Sequence, residues 1–374
     1  MKKIAFLYLY GLHHLYHTAM TAMALSSIKM DYEILCISCN NEHTKALKKI
    51  QKNYPGNYVR IIQLKQPFRY KYLNFKKKTY PSVNTMMKFA KPYLLDVDCI
   101  VTTSHGAPRM LIKNKILKPS LIYQYHGCGD RKYSFDPVLK KFNFALLPGK
   151  YYQDRLIKEK IIGIEKTAVV GSPKFDFTHQ NQKSLKIFNN NNRIVLYAPH
   201  WEPKLSSYNL YAEYILQYFS EHKEMNLIFA PHVALKHWKT HLKYNINLDH
   251  YKQENIIVDF GSNFSTDGTY INKSDVYVGD VSSMVYEFIA FKARPCLFLN
   301  AHRVIWENNV NYRFWECGPV VEQKIDFERK LMESINSKSY LNIQKGRIGE
   351  YFDLNEKKSS IRAAESIISF LESK

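Results

Sequence analysis

Asp275-Val276-Tyr277-Val278-Gly279-Asp280-Val281-Ser282-Ser283-Met284-Val285-Tyr286-Glu287-Phe288-Ile289-Ala290-Phe291 is the stretch on which the reading of this chain turns. DVYVG is a short apolar run of the kind that forms a strand buried on both faces. The turn at Gly279-Asp280 interrupts it, and MVYEFIAF continues as an amphipathic helix. A strand running through a tight turn into a helix is the building unit of parallel α/β sheets, whose ligands sit beyond the carboxyl ends of the strands. Asp280, Ser282 and Ser283 crowd that turn with more polar groups than one N-cap requires. Unpaired backbone N–H groups and the helix dipole favour an anion there, and a diphosphate fits. Glu287 stands one turn further along.

Two neighbouring runs end in the same manner. RIVLYA at 193–198 leads into Pro199-His200, and LIFA at 227–230 leads into Pro231-His232. Proline stops each strand and stiffens the loop that carries the imidazole. Cationic or hydrogen-donating histidines suit a phosphate whose charge grows as a leaving group departs. Lys204 and Lys236 could add positive charge. Earlier in the chain, SLIYQY at 120–125 ends in His126-Gly127-Cys128-Gly129-Asp130-Arg131, where glycines permit close backbone approach and His126 could take a proton from a hydroxyl acceptor. Ser104-His105-Gly106 after DCIVTT is a similar strand-end loop, and His13, His14 and His17 follow the first strand.

The same alternation of strand and helix runs through the whole chain. Strands are expected at 3–9, 32–38, 59–63, 98–103, 120–125, 144–148 and 167–171, then at 193–198, 227–230, 255–260, 275–279 and 295–299. Helices are expected at 13–29, 150–160, 210–222, 233–244, 281–292 and 355–373. The polar stretch around Asn189–Asn192 separates two sheets of similar size. The fold class is therefore α/β, with two doubly wound Rossmann-like domains facing a cleft, residues 1–180 and 181–354, and a C-terminal helix at 355–374.

Composition sets limits around this reading. The chain has 374 residues, 54 Lys+Arg against 33 Asp+Glu, and a formal charge of +21. With 45% hydrophobic and 14% aromatic residues it is no disordered chain. No apolar run approaches the roughly 18–20 residues that cross a bilayer, and MKKIAFLYLYGLHHLYH reads as a first buried strand instead of a secretory signal, which points to the cytoplasm. Six scattered cysteines are no disulfide framework, and Cys36-Ile-Ser-Cys39 lies within a strand without a second C-x-x-C, so buried thiols are expected. Asp96-Val97-Asp98 precedes a strand where a D-x-D metal site would follow one, and His13, His14 and His17 lack a third ligand nearby, so no metal is expected. Neither a P-loop nor a G-x-G-x-x-G fingerprint occurs. The densest basic-aromatic cluster is Arg69, Tyr70, Lys71, Tyr72, Phe75, Lys76–Lys78 and Tyr80. Its charge suits anionic lipid, nucleic acid or an anionic substrate.

Taken in order, His126-Gly127, Gly171-Ser172-Pro173-Lys174-Phe175-Asp176, Leu196-Tyr197-Ala198-Pro199, His232 and Asp280-x-Ser282-Ser283 with Glu287 resemble the motifs of the CDP-glycerol glycerophosphotransferase family. These are teichoic-acid and capsule enzymes of GT-B fold, and the resemblance spans residues 120–300. It departs at Tyr125 for Trp, Lys174 for Arg, His200 for Thr and Val233 for Pro. It implies CDP-glycerol as donor, His126 as base, and His232, Ser282 and Ser283 on the diphosphate, joined by His200, Asp280, Lys236 and Glu287. His13, His14, Gly127 and Arg131 would lie on the acceptor side. The implied reaction passes glycerol phosphate to a hydroxyl of an anionic glycan or lipid-linked saccharide, releases CMP, and needs no metal or other cofactor. It leaves open a peripheral contact with the inner face of the cytoplasmic membrane. The alternatives are a GT-B glycosyltransferase using a CMP- or UDP-sugar in capsule or lipooligosaccharide synthesis, and a basic nucleic-acid-binding protein; under the enzyme readings nucleic acid is not a partner.

Overall fold

A computed structural model describes residues 1–54, 58–65, 82–180, 185–236 and 246–374. The basic-aromatic cluster at 69–80 and most of the helix expected at 233–244 lie outside the described residues.

Every strand expected from the sequence forms; the central strands are buried almost throughout, whereas the edge strands at Arg60–Gln63, Thr167–Val169 and Ile256–Val258 are only partly covered. The first sheet is built from β1 (Lys3–Tyr8), β2 (Glu33–Ser38), β3 (Arg60–Gln63), β4 (Cys99–Thr102), β5 (Ser120–Gln124), β6 (Phe144–Leu147) and β7 (Thr167–Val169). Its order is β3-β2-β1-β4-β5-β6-β7, and every pairing is parallel. Between these strands lie α1 (Leu12–Ile28), α2 (Asn41–Lys52), α3 (Val83–Leu94), α4 (Ala107–Lys113) and α5 (Lys150–Lys158), and α6 (Pro173–Gln180) follows β7. The second sheet contains β8 (Arg193–Tyr197), β9 (Met225–Phe229), β10 (Ile256–Val258), β11 (Val276–Gly279), β12 (Cys296–Leu299) and β13 (Val320–Val321). Its order is β10-β9-β8-β11-β12-β13, again all parallel. It carries α7 (Tyr208–Glu221), α8 (Thr269–Lys273), α9 (Met284–Ile289), α10 (Phe327–Asn336) and α11 (Ser339–Tyr351), and α12 (Ser359–Glu372) closes the chain. In each sheet the strand order reverses beside the first strand, at β1/β4 and at β8/β11, where a doubly wound sheet binds its ligand.

The chain divides into two compact units. Met1–His126, Phe135–His179 and Glu350–Lys374 form the first; Gly127–Ser134 and Gln180–Gly349 form the second. The loop after β5 therefore belongs to the second unit, and the C-terminal helix, set apart in the sequence reading, belongs to the first. Ala363, Ala364, Ile367 and Leu371 of α12 join the same core as Ala19, Ala22 and Met23 of α1. Alanines on both helices permit that close approach, and α1 is buried continuously from Leu15 to Ser26. The six cysteines are buried free thiols, and burial pushes Cys36 and Cys39 up to about 12.

The motif at 171–176 does its structural work here. Gly171 has φ +79, and a Cβ on it would overlap Ser359 Oγ and the Asp353 carbonyl, so the close approach of α12's entry requires glycine. Asp176 accepts hydrogen bonds from Ser360 N at 2.7 Å and Ser359 N at 3.3 Å, capping a helix that starts 183 residues later. Lys358, at the N-cap position, makes no side-chain cap bond. Asp176→Ala should therefore lower stability by about 1–2 kcal/mol in urea unfolding, while Asp176→Asn, which keeps an acceptor, should recover most of it. An alanine variant as stable as the parent would refute the cap.

Candidate active site

In the second unit the strand ends converge on one carboxylate. Asp280, at the end of β11, is almost fully buried. It accepts from His200 N at 3.0 Å, from Ser207 N at 2.6 Å and from Ser207 Oγ at 2.8 Å, while its own carbonyl accepts from Trp315 Nε1 at 3.1 Å. These bonds tie the loop after β8, the start of α7 and the β11 turn into one piece. Asp280, expected among the phosphate-binding groups, has its carboxylate occupied by this framework. Burial raises its carboxyl to about 6, although the donors from Ser207 and His200 act the other way.

The framework sets the two histidines. Glu202 N donates to His200 Nδ1 at 3.0 Å, and Ala234 N donates to His232 Nδ1 at 3.2 Å. A ring nitrogen that accepts is unprotonated, so each neutral imidazole carries its hydrogen on Nε2. The ring centroids lie 6.0 Å apart, with Trp201 beside both at 5.5 and 6.5 Å. Burial, with Arg131 second, depresses His232 to about 4 and His200 well below its ordinary value. They are N–H donors at neutral pH and not cations, which narrows the pair of states left open by the sequence.

The positive charge comes from Arg131. The sequence reading sets Arg131 and Gly127 on the acceptor side; in the fold both belong to the second unit. The Arg131 guanidinium stands 4.0 Å from Glu202 and acts electrostatically on His200, His232 and Asp280. Its loop is anchored by Asp130, fully buried, which accepts from Tyr286 OH at 2.8 Å and Phe314 N at 3.0 Å. Gly127 has φ +61, and a Cβ there would come within 3.2 Å of Ser283 Oγ, so glycine lets the loop lie against the serine turn. Ser282 Oγ accepts from Met284 N at 3.2 Å, and Ser283 is half-buried. Because α9 has only six residues, the turn's hydroxyl and amide groups matter more than any macrodipole. Glu287 is half-buried on α9, and Lys236 ends a single 3₁₀ turn at 233–236.

The first unit gathers a different set. His14 and His126 have ring centroids 4.2 Å apart, His13 and His14 4.4 Å, and His17 and His126 6.1 Å. His14 Nδ1 lies 2.9 Å from Thr103 Oγ1, and Tyr123 OH lies 3.4 Å from His126 Nδ1. Ser104 bonds to Tyr10 OH, and the His105 ring lies 4.9 Å from that of Tyr123, tilted by 43°. The carboxyl edge thus brings the three helix histidines, His105 and His126 together, all within one unit. Burial first, then His105 and Lys174, hold His126 at about 3, against a hydrogen bond to the Thr103 backbone. His17 lies well below its ordinary value through burial and then Lys174. Among the described residues no three His, Cys, Asp or Glu side chains form a metal-holding group. Asp96 and Asp98 serve the β1 start, 2.7 Å from Lys3 Nζ and 2.8 Å from Lys3 N respectively.

Sequence reasoning missed Asp130, Ser207, Tyr286 and Trp315, whose partners lie far away in the chain. Trp201 stood next to His200 and could have been found by its place at a strand end.

Two outcomes follow from this geometry. Asp280→Asn turns an amide N–H₂ toward backbone donors, so it should cost about 2 kcal/mol in urea unfolding, and Ser207→Ala about 1 kcal/mol. A neutral Asp280→Asn would show that the carboxylate does not hold the loops. Stability should also fall below pH 6.5. His43, His105 and His232 sit at about 4 and His126 at about 3 in the fold, so the unfolded chain takes up their protons first as pH drops. Each such histidine removes up to about 1.4 kcal/mol per pH unit between its unfolded and folded values. Asp280, raised to about 6, opposes with one proton over the same range. Melting temperatures flat from pH 7 to pH 5 would contradict the neutral histidines.

Comparison with known proteins agrees with this architecture. The chain covers 100% of its length against the wall teichoic acid polymerase TagF soaked with CDPG, at TM-score 0.65, 13% identity and 89% of that chain. It is equally similar to a UDP-N-acetylglucosamine 2-epimerase from Listeria monocytogenes, at TM-score 0.65, 14% identity, 100% of this chain and 96% of that one. An S. aureus MnaA–UDP structure follows at TM-score 0.61 and 14% identity, with the same coverage. These likenesses establish the GT-B type of α/β fold. No curated protein sequence matches the chain. Residues 100–369 match the family described as CDP-Glycerol:Poly(glycerophosphate) glycerophosphotransferase, and the chain, a glycerophosphotransferase-like enzyme, belongs to that family.

Proposed function

We propose that the enzyme transfers glycerol phosphate from CDP-glycerol to a hydroxyl of a cell-surface glycan, a capsule or teichoic-acid-like primer or polymer, and releases CMP. The observation that carries this reading is the pair of fixed Nε2–H donors, His200 and His232, set with Arg131 beside the Ser282–Ser283 turn. Two neutral donors and one guanidinium match a diphosphate, whose bridging oxygen gains charge as it leaves. The acceptor oxygen attacks the β-phosphorus, its proton passes to His126, and the bond from the β-phosphorus to the bridging oxygen breaks. CMP departs with that oxygen and the bonding electron pair. His126 is neutral at physiological pH, as a base must be, and an anionic acceptor close to Lys174 would raise its basicity by offsetting the ammonium. The donor set supplies the countercharge itself, so the reading requires no divalent cation. It places the enzyme in the cytoplasm, with a peripheral contact at the inner face of the membrane where a lipid-linked acceptor resides.

Incubation with a panel of CDP-glycerol, CMP-sugars and UDP-sugars should give nucleotide release with CDP-glycerol alone, undiminished by EDTA. Release from a sugar nucleotide would instead favour the glycosyltransferase reading. His126→Ala should lower turnover by about 10²–10⁴-fold, the usual contribution of a general base. Because His126 and His232 stay neutral, the fall of kcat/KM on acidification from pH 8 to pH 5 should be a one-proton fall near pH 6, from Asp280. A two-proton fall, with a slope of about 2 in log kcat/KM against pH, would exclude His126 as a base with the depressed value described above.

A further inference from the structure

On the first unit, α3 and α4 carry large apolar side chains on their solvent side. Phe89 and Tyr93, one turn apart on α3, are 39% and 41% exposed; Ile112 on α4 and Leu117 just beyond it are 61% and 73% exposed. Lys88, Lys91, Arg109, Lys113, Lys115 and Lys118 stand among them. Residues 82–95 and 99–118 contain no Asp or Glu. Of the two acids between these stretches, Asp96 lies 2.7 Å from Lys3 Nζ, and Asp98 accepts from Lys3 N at 2.8 Å. Lys118 Nζ lies 3.8 Å from Asp96, which brings the loop after α4 to the loop after α3 and makes the surface continuous.

We propose that this α3–α4 face is the surface by which the protein docks on an anionic lipid bilayer, with Ile112, Leu117, Phe89 and Tyr93 entering the headgroup region. Aliphatic and aromatic tips ringed by lysine and arginine, without acids, match an interface that is apolar below and negatively charged above. A nucleic acid would leave the aliphatic Ile112 and Leu117 in water, since bases stack on aromatic faces. The inference deepens the peripheral contact suggested above and rests on that reading only for its location. Vesicle binding needs neither donor nor acceptor, so its failure and the failure of the transferase reading are separate results.

The test is co-sedimentation of the full chain with phosphatidylglycerol or phosphatidylcholine vesicles at low and high salt. Binding is expected to phosphatidylglycerol only and to weaken with salt. The triple variant Lys88→Glu, Arg109→Glu, Lys113→Glu should lose at least about 100-fold in partitioning. Ile112→Ser with Leu117→Ser should lose several-fold even at low salt, and a tryptophan placed by Leu117→Trp should shift its emission to the blue on vesicle addition. All these positions are solvent-exposed, so folding is checked simply by an unchanged melting temperature. Equal binding by parent and variants overturns the proposal. So does a concentration-dependent dimer abolished by the serine pair, or RNA binding abolished by the charge reversals.

Discussion

The second unit depends on a buried carboxylate with four hydrogen-bond contacts. Asp280 receives two backbone amides and a hydroxyl from elements 73 and 80 residues earlier in the chain. An ionised carboxylate away from water is costly unless such donors surround it. The donors in turn would be orphans without it, since the amides of His200 and Ser207 sit in loops beyond a strand end. Each side therefore requires the other, and the mutual requirement places His200 and the serine turn in fixed register. Trp315, donating to the Asp280 carbonyl, closes the arrangement from the far edge of the sheet.

Asp130 repeats the device on the loop that carries Arg131. Its side chain is fully buried, and it holds Tyr286 OH and Phe314 N. A surface arginine would be mobile and screened by solvent, whereas one anchored through its neighbour keeps its guanidinium near the histidines. Asp176 does comparable work in the first unit, where it supplies the N-terminal cap that α12 lacks locally. Three acids thus act through hydrogen bonds to backbone amides.

Most of the fold was legible because buried parallel strands announce themselves as continuous apolar runs. Val320–Val321 escaped, since two residues carry no pattern. The short helix α9 was expected with longer bounds, at 281–292, and α4 was passed over, as were α2 and α3 although Asn40 and Ser82 are ordinary cap residues. The positions of certain residues at strand ends were legible: His126 in the first unit, and His200, His232 and the turn at 280–283 in the second. Arg131 was visible, but its membership of the second unit was not, because linear order assigns a residue to the strand it follows, and the chain here leaves the first unit immediately after β5. The roles of Asp130, Ser207 and Trp315 were illegible, since each depends on a partner at least 35 residues away.

The protonation states carry the argument furthest. A cationic histidine would bind a diphosphate tightly in the ground state and gain little more as the bond breaks. A neutral N–H donor attracts the ground state less and strengthens as charge collects on the departing oxygen, which is the differential that catalysis needs. Burial and the nearby guanidinium keep His200 and His232 in that neutral state, and the amides of Glu202 and Ala234 hold each hydrogen on the outer nitrogen. Arg131 then bears on the site in two ways: its guanidinium makes the region positive, and after burial it is the next influence that holds the imidazoles beside it neutral. Replacing it with a neutral residue would remove the attraction and also let His232 titrate nearer its ordinary range, so one substitution would change both affinity and the shape of the pH profile.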